Sequence, residues 1–377
     1  MRQSQRGQVD PFIVMDVMEA AARAEAAGRH IIHMEVGQPG TPAPAGARRA
    51  LADALEAPLG YTVALGLPAL RQGIADLYRR WYGVDLDPAR VVVTPGSSGA
   101  FILAFSALFD AGDRVAMGYP GYPSYRQILR AMSLDPVGIP TRPEDRYQPR
   151  PGDLPDAQGL ILASPGNPSG TVLTRDELAA LAQAAQARGM ALISDEIYHG
   201  LSYGTRCVSA LEVTDEVVVI NSFSKYFSMT GWRVGWMVVP PTMVRTVERL
   251  AQNLFICPPH ASQVAALAAL DCIEEAEANL SYYAENRRLM LEGLPRAGFH
   301  RIAPPEGAFY IYADVSHLTG DSVSFAAEIL EKAGVSVTPG LDFDPDRGRG
   351  TLRFSYARAT ADIAEGLRRL ERFMAAR

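Results

Sequence analysis

Short apolar runs alternate with longer helical patterns along the chain from about residue 90. Most of these runs are rich in β-branched residues: RVVVT (90–94), RVAMG (114–118), LILAS (160–164), MALIS (190–194), VVVIN (217–221) and GWMVV (235–239). Strands that are apolar throughout are covered on both faces, which is typical of a parallel sheet between helices. The pattern therefore predicts an α/β architecture with a mostly parallel central sheet sandwiched by helices.

Helical periodicity fills the segments between these runs. Residues 98–109 and 174–188 are predicted helices, and the second opens with TRDE, a capping-box spacing that satisfies two backbone donors. Beyond about residue 280 the pattern changes to helices around 282–294 and 325–332, with the strand-like runs AFYIYADV and TLRFSYA between and beyond them. This change predicts a second, smaller α+β unit.

The beginning of the chain has no sheet partner nearby in sequence. A predicted helix at 14–27 is followed by the strand-like HIIHMEV, and we expect both to pack with the C-terminal unit. The expected organisation is an N-terminal segment at 1–40, a large ligand-binding domain at 41–279 and a small domain at 280–377.

Composition argues against several classes of protein. The 377 residues are 48% hydrophobic and 21% charged, which is typical of a folded globular protein. The net charge of −6, with 42 acidic against 36 basic residues and no long run of either sign, argues against a nucleic-acid partner. The opening MRQSQRGQVDPF lacks the apolar core of a signal peptide, and no apolar stretch of about 18 residues occurs, so we expect a cytoplasmic protein without a membrane anchor.

Cysteine and lysine usage narrow the chemistry further. Cys207, Cys257 and Cys272 are odd in number and lack a C-x-x-C spacing, so neither a disulfide framework nor a metal site is predicted. Only Lys225 and Lys332 are lysines, while all other basic residues are arginine. A lysine in such a chain indicates a specific need for a primary amine.

Polar residues follow the predicted strands at four places, and the ends of strands are where open α/β sheets bind ligands. The four motifs are TPGSSGAF (94–101), SPGNPSG (164–170), SDEIYHG (194–200) and NSFSKYFSMTGWRVGW (221–236). Taken singly, the first three also fit ordinary turns or a solvated carboxylate. The fourth is the most informative, because Ser222, Ser224, Lys225 and Arg233 cluster after a strand.

This fourth motif combines an amine with donors for an anion. A desolvated lysine amine can form a Schiff base, which a guanidinium cannot. Two hydroxyls and the forked donors of Arg233 suit a phosphate dianion. An amine beside a phosphate cradle predicts pyridoxal 5'-phosphate as the cofactor.

Together the motifs resemble the fold-type I pyridoxal-phosphate enzymes, specifically the class I aminotransferases in the branch typical of bacterial aspartate and aromatic aminotransferases. The resemblance extends over nearly the whole chain and includes VGQPG (36–40), YTVALGLPALRQGIADLY (61–78), PEGAFYIYADV (305–315) and LRFSYA (352–357). It implies a transaminase that carries an amino group from an L-amino acid to a 2-oxo acid by ping-pong chemistry. It also implies a homodimer that serves amino acid metabolism and biosynthesis.

The resemblance assigns roles around the cofactor ring. Lys225 would form the Schiff base with the cofactor and, once freed by substrate, move the proton between the substrate Cα and the cofactor. Asp195 would face the pyridine nitrogen and keep it protonated. Asn167 and Tyr198 would hydrogen-bond the phenolic oxygen O3′, and Tyr122 would stack on the ring.

The resemblance also assigns the two ends of the site. The phosphate would be held by Ser97, Ser98, Gly99, Ser222, Ser224 and Arg233. Tyr61 would reach the phosphate of the neighbouring subunit, which implies a two-fold dimer with shared active sites. Arg353 would grip the substrate α-carboxylate, with Asn167 beside it and Gly37 in the loop that closes over it. Independently, an arginine in an apolar strand indicates an anionic ligand, because burying it unpaired is costly.

Two departures from the family pattern bear on the site. The phosphate turn reads GSSGAF, which leaves its side-chain donors open. NLFICPPHAS (253–262) replaces a polar stretch, and we expect Phe255, Ile256 and Cys257 near the pocket for the substrate side chain. Since no second cation is placed to bind a dicarboxylate, the sequence predicts a preference for neutral or aromatic amino acids.

Other functions stay open at this point. The same residue set serves carbon–sulfur β-lyases, because the same carbanion can instead lose a β-substituent. A non-catalytic cofactor-binding module, as attached to DNA-binding regulators, has little support, since no helix-turn-helix or basic extension precedes residue 40. A nicotinamide dehydrogenase is disfavoured because its G-x-G-x-x-G fingerprint is missing.

Overall fold

The computed structural model describes all 377 residues, which form eleven α-helices and thirteen strands. The helices are α1 (Ile13–Ala26), α2 (Ala45–Ala54), α3 (Pro68–Tyr82), α4 (Gly96–Leu108), α5 (Pro123–Ala131), α6 (Arg175–Ala187), α7 (Val244–Leu254), α8 (His260–Ala269), α9 (Ile273–Arg296), α10 (Ser322–Ala333) and α11 (Thr360–Ala375). The strands are β1 (Ile32–His33), β2 (Val91–Thr94), β3 (Arg114–Tyr119), β4 (Asp135–Pro140), β5 (Gly159–Ala163), β6 (Ala191–Asp195), β7 (Val218–Ser222), β8 (Gly235–Val238), β9 (Arg301–Ile302), β10 (Tyr310–Asp314), β11 (Val335–Ser336), β12 (Thr338–Pro339) and β13 (Thr351–Ser355).

The central sheet has seven strands in the order β2-β8-β7-β6-β5-β3-β4. Neighbours from β7 through β6, β5 and β3 to β4 run parallel, while β8 is antiparallel to both β7 and β2. The expected α/β class with a mostly parallel sheet is therefore confirmed. All six apolar runs singled out in the sequence are strands of this sheet.

Helices cover both faces of this sheet, and neighbouring residues of one strand pack on opposite sides. Leu160 and Leu162 of β5 belong to one apolar core, whereas Ile161 between them belongs to a second. The first core contains residues of α3 and α6, and the second contains residues of α4, α5 and α7. Because both faces are buried, the strands carry apolar side chains at nearly every position.

Strand β4 is an element that the apolar pattern did not reveal. Its sequence, DPVGIP, contains two prolines, which have no backbone N–H to donate. It pairs only with β3 at the edge of the sheet, where one side of the strand needs no partner. The edge position explains why such a sequence forms a strand here.

The helix predictions at 98–109 and 174–188 correspond to α4 and α6. The α6 helix begins directly after Thr174, whose side chain accepts a hydrogen bond from the Glu177 N–H while the Glu177 side chain accepts from the Thr174 N–H. This is the capping box that the sequence predicted. The predicted helices at 282–294 and 325–332 lie inside α9 and α10.

A smaller α+β unit combines both ends of the chain. Its four-stranded sheet has the order β12-β13-β10-β9, and β1 pairs in parallel with β11, Ile32 lying opposite Val335. Helix α1 contacts β11 and β12, and α11 contacts β1. Residue 280 lies inside the continuous helix α9, so the domain boundary at 279/280 stays a prediction.

None of the helices combines the length and the apolar character needed to cross a bilayer.

Candidate active site

A cavity of about 250 Å³ opens where the parallel strands of the central sheet end. Its walls come from the N-terminal part of the chain, from the turns after β2, β3, β5, β6 and β7, from the segment before β8, and from β10 and β13. They comprise Phe12, Val14, Met15, Val36, Gly37, Gln38, Ser97, Ser98, Tyr122, Tyr125, Ala163, Pro165, Asn167, Asp195, Ile197, Tyr198, Ser224, Lys225, Thr230, Arg233, Tyr310 and Arg353. The four motifs that follow strands in the sequence therefore meet in one place.

Asp195 is the last residue of β6 and is buried at the floor of this cavity. One carboxylate oxygen accepts a hydrogen bond from the Tyr125 hydroxyl, and the other accepts from the Ile197 N–H at 3.1 Å. Burial raises the pKa of Asp195 to about 6, although these two bonds and the charge of Lys225 oppose the rise. Above that pH Asp195 is an anion held in a fixed orientation.

Lys225 follows β7 by three residues and directs its amine into the same cavity. Its Nζ donates a hydrogen bond to the Gly37 carbonyl at 2.7 Å. Desolvation of the amine, followed by the charges of Arg353 and Arg233, lowers the pKa of Lys225 to about 8, while Asp195 opposes this shift. A lysine with such a pKa is partly neutral near physiological pH and can act as a nucleophile or a base.

A candidate anion site lies at the N-terminus of α4. No side chain caps this helix, so its first N–H groups, which include those of Ser97 and Ser98, are available for an anion. Gly96 has a φ of +70°, and a Cβ at this position would lie 2.4 Å from a guanidinium nitrogen of Arg233. The guanidinium thus closes against the helix terminus, and the Ser224 hydroxyl lies in the same wall.

Arg353 lies in β13 with its guanidinium between two aromatic rings. The guanidinium carbon is 4.3 Å from the centre of the Tyr310 ring and 4.7 Å from that of Phe343. The nitrogens donate to Asn167 Oδ1 at 2.9 Å and to the Glu35 carbonyl, and Nε has no partner although it is buried. Because neutral acceptors alone hold this cation, a carboxylate entering the cavity would supply its missing counter-charge.

The remaining predicted ring contacts also line the cavity. Asn167 lies in the loop after β5, and Tyr198 lies in the turn after β6. Tyr122 precedes α5 and makes an edge-to-face contact with Phe12 at 5.9 Å between ring centres. An amine, a carboxylate, an aromatic ring and an anion site in one cavity form the donor set that pyridoxal 5'-phosphate requires, so these residues fit that group.

Three residues predicted for the cofactor lie outside the cavity wall of this chain. Ser222 is buried and donates to the Ser224 oxygen at 2.8 Å, so it supports Ser224. Gly99 is buried in the first turn of α4, where a Cβ would lie 2.7 Å from the Pro95 ring. Tyr61 is 83% exposed on the surface, which leaves it accessible to another molecule.

The apolar segment at 253–262 lies apart from the cavity of a single chain, so its expected place near the substrate pocket stays a prediction. Phe255, Ile256 and Cys257 do not line the cavity. Cys257 instead lies against Thr62, whose N–H is 3.4 Å from its sulfur. The cause is that the segment joins α7 to α8 and packs on the stretch around residue 61, on the outside of the subunit.

Sequence reasoning missed several residues of the wall. The apolar wall comes from Phe12, Val14 and Met15, which precede or begin α1. Tyr310 lies in the quoted run PEGAFYIYADV and Tyr125 lies just beyond Tyr122, but neither had a role assigned. The YPSY spacing, in which Tyr125 of the first turn of α5 comes three residues after Tyr122, could have singled out Tyr125, whereas nothing local distinguishes the N-terminal residues.

Comparison with known proteins gives consistent results. The family model for aminotransferase class I and II matches residues 29–370. A valine–pyruvate aminotransferase of Mycobacterium tuberculosis is 49% identical over 97% of this chain and 96% of its own length. A solved structure from Silicibacter pomeroyi is 70% identical with a TM-score of 0.96, each chain being covered completely. The aspartate aminotransferase of Thermus thermophilus, solved with maleate, is 31% identical with a TM-score of 0.92, covering 99% of this chain and 100% of that one. These names support amino-group transfer and give no support to a lyase.

The lowered pKa of Lys225 can be measured directly because the chain has a single other lysine. Reductive methylation with ¹³C-formaldehyde labels both lysines and the N-terminal amine of the cofactor-free protein, and Lys332→Arg and Lys225→Arg, which each remove one signal, assign them. We expect the Lys225 signal to titrate near pH 8, and Arg353→Met to move the midpoint upward because it removes a neighbouring positive charge. A midpoint near the ordinary lysine value of about 10.4 would contradict this prediction.

Proposed function

The chain belongs to the class I and II aminotransferases, and from that premise we propose that it transfers the amino group of a neutral amino acid to a 2-oxo acid at the cavity around Lys225. Enzymes of this family depend on pyridoxal 5'-phosphate and exchange amino groups between amino acids and 2-oxo acids. The observation that carries the proposal is the enclosure of one lysine amine with Asp195 and Arg353 in a single cavity.

The cofactor, when bound, supplies a ring that takes up the negative charge left at the substrate Cα when its proton departs. Asp195, ionised above about pH 6 and fixed by Tyr125, would hold the proton on the pyridine nitrogen. Asn167 and Tyr198 would bind the phenolic oxygen, and Tyr122 would cover the ring face. The Lys225 amine would hold the aldehyde and then move the proton at the substrate Cα, which its pKa of about 8 permits.

The two ends of the site would bind two different anions. The N–H groups of Ser97, Ser98 and Gly99 and the side chains of Ser224 and Arg233 would hold the phosphate, with Ser222 supporting Ser224. Arg353 would take the substrate carboxylate in a bidentate pair, oriented by the aromatic rings on either side of its guanidinium. Binding at both sites would then orient the substrate so that its Cα proton faces Lys225.

The wall that faces the substrate side chain supports a neutral donor. The charged residues of the cavity are Asp195, Lys225, Arg233 and Arg353, and each has a proposed partner in the cofactor or the α-carboxylate. Phe12, Val14 and Met15 offer apolar surface and no cation. The relative named a valine–pyruvate aminotransferase supports the same class, so we propose branched or other apolar amino acids as donors and pyruvate as an acceptor.

A donor panel tests this substrate class. With pyruvate as acceptor, alanine formation is measured from valine, leucine, phenylalanine, aspartate and glutamate. We expect kcat/KM for the best neutral donor to exceed that for either acidic donor by about 100-fold, because a second carboxylate would be desolvated without a counter-ion. Aspartate or glutamate reacting orders of magnitude faster than every neutral donor would reject the substrate class. Release of pyruvate and ammonia from a cysteine-type substrate without any acceptor would instead indicate the β-lyase.

The proposed role of Arg353 is tested by Arg353→Lys. The variant keeps a positive charge but loses the forked donors and the flat surface between the two rings, so kcat/KM for the donor should fall about 100-fold or more. The variant should still bind the cofactor, because Arg353 has no proposed contact with the phosphate. Arg368→Lys, an exposed substitution on α11, is the matched control. Undiminished kcat/KM in Arg353→Lys would exclude carboxylate binding by this residue.

We also propose that two copies of the chain assemble as a dimer with shared sites. Tyr61 and Val63 are exposed, and the neighbouring loop exposes Leu254 and Ile256. The two stretches are joined by the hydrogen bond between His260 and the Gly60 carbonyl at 2.9 Å, so their apolar side chains form one surface. Such a surface is typical of a protein interface, and it would carry Tyr61 to the phosphate of the second copy.

Sedimentation velocity and cofactor titration test the dimer. We expect a species of twice the 40.8 kDa chain mass, and Val63→Arg should shift it to the monomer while Val323→Arg, at an exposed valine on α10, should not. Tyr61→Phe should keep the dimer yet weaken pyridoxal-phosphate binding about tenfold, because one hydrogen bond to a charged group is lost. A monomeric wild-type protein, or unchanged cofactor affinity in Tyr61→Phe, would refute this assembly.

A further inference from the structure

Tyr310 connects three parts of the site, and its hydroxyl has no role in the function described so far. It is the first residue of β10, is buried, and lines the cavity. Its hydroxyl lies 2.8 Å from the Tyr198 hydroxyl, and its ring stacks on the Arg353 guanidinium. On its third side the hydroxyl is packed so closely on Gly37 that a Cβ there would lie 1.6 Å from it.

We propose that Tyr310 is a positioning residue that acts through Tyr198. Its hydroxyl donates a hydrogen bond to the Tyr198 oxygen, and this leaves the Tyr198 proton for the phenolic oxygen of the cofactor. The inference rests on the proposed function, in which Tyr198 binds that oxygen. In this proposal, Tyr310 sets the orientation of the Tyr198 hydroxyl and its strength as a hydrogen-bond donor.

Counting protons gives the direction of this bond. Each phenol has one proton, and each of these two hydroxyls has the other as its hydrogen-bond partner within the chain. If Tyr198 donated, the Tyr310 proton would face Gly37, with which Tyr310 makes no hydrogen bond. If Tyr310 donates, its proton is bonded and the Tyr198 proton is free for a ligand. The second arrangement bonds both protons once the cofactor is present.

The surroundings keep the Tyr310 hydroxyl in place. Gly37 on one side and the Arg353 guanidinium against the ring leave little freedom for the side chain. A hydroxyl that accepts a hydrogen bond also becomes a better donor, because the two bonds polarise each other. Tyr310 would therefore strengthen the bond from Tyr198 to the cofactor as well as orient it.

This arrangement has a spectroscopic consequence. A hydrogen-bond donor to the phenolic oxygen stabilises the negative charge on that oxygen. It therefore favours the state of the bound cofactor in which the neighbouring nitrogen has lost its proton. It thereby lowers the pH at which the visible absorption band titrates. Loss of the Tyr310 hydroxyl weakens the donor and should move that midpoint upward, by about half a unit to one unit.

The experiment is a double-mutant cycle read by absorbance. Tyr310→Phe, Tyr198→Phe and the double variant are loaded with pyridoxal 5'-phosphate, and the visible band is titrated in the absence of substrate. Tyr310→Phe keeps the ring on Arg353, so KM for the amino donor should change less than about twofold. Tyr312→Phe is the matched control, since it removes a buried hydroxyl, bonded to Thr351 at 2.7 Å, from the same strand but outside the cavity.

We expect an upward shift in Tyr310→Phe, a larger one in Tyr198→Phe, no further shift in the double variant and none in Tyr312→Phe. A wild-type midpoint in Tyr310→Phe overturns the inference, and so does a Tyr310→Phe shift of undiminished size in the Tyr198→Phe background, because Tyr310 would then act directly. If Tyr310→Phe shifts as much as Tyr312→Phe, the effect is structural and the inference fails. These outcomes leave the proposed function intact, since that fails when the wild-type protein does not bind the cofactor or binds it without transferring amino groups.

Discussion

Burial of the central sheet on both faces decides where this protein can carry out chemistry. Helices pack against each face, and alternate residues of one strand belong to separate apolar cores. A polar side chain in the middle of such a strand would be enclosed without a partner. The strand ends are therefore the place where the sheet can offer a carboxylate, an amine and hydroxyls, and parallel strands bring these ends to one edge.

The charges at that edge are unbalanced in a way that suits two anionic groups. Lys225, Arg233 and Arg353 face the cavity together with the carboxylate of Asp195. The repulsion between these cations contributes to the lowered pKa of Lys225. Burial is the largest cause, and the charges of Arg353 and Arg233 add to it. A phosphate and a carboxylate would neutralise the excess positive charge at the two ends of the cavity. Binding would therefore reduce the repulsion between cations that exists in the protein alone.

The sequence was sufficient for the sheet and for much of the cavity because both depend on local patterns. Apolar strands followed by polar turns predicted the positions of Asp195, Asn167 and Lys225, all of which line one cavity. Strand β4 was missed because an edge strand tolerates prolines. Tyr310 was missed because its importance comes from Gly37 and Tyr198, far away in the sequence. The apolar wall that includes Val14 was missed for the same reason, because Val14 reaches the cavity only through the fold.

The pairing of β1 with β11 joins residues that are about 300 positions apart in the chain. On a ribosome that adds roughly 5–20 residues per second, the first strand waits on the order of 15–60 s before its partner is synthesised. Until then α1 and the strand after it lack their partners β11 and β12, whereas the central sheet has all its strands once β8 is synthesised. Synthesis thus orders assembly, and the walls of the cavity that come from the beginning of the chain are completed last.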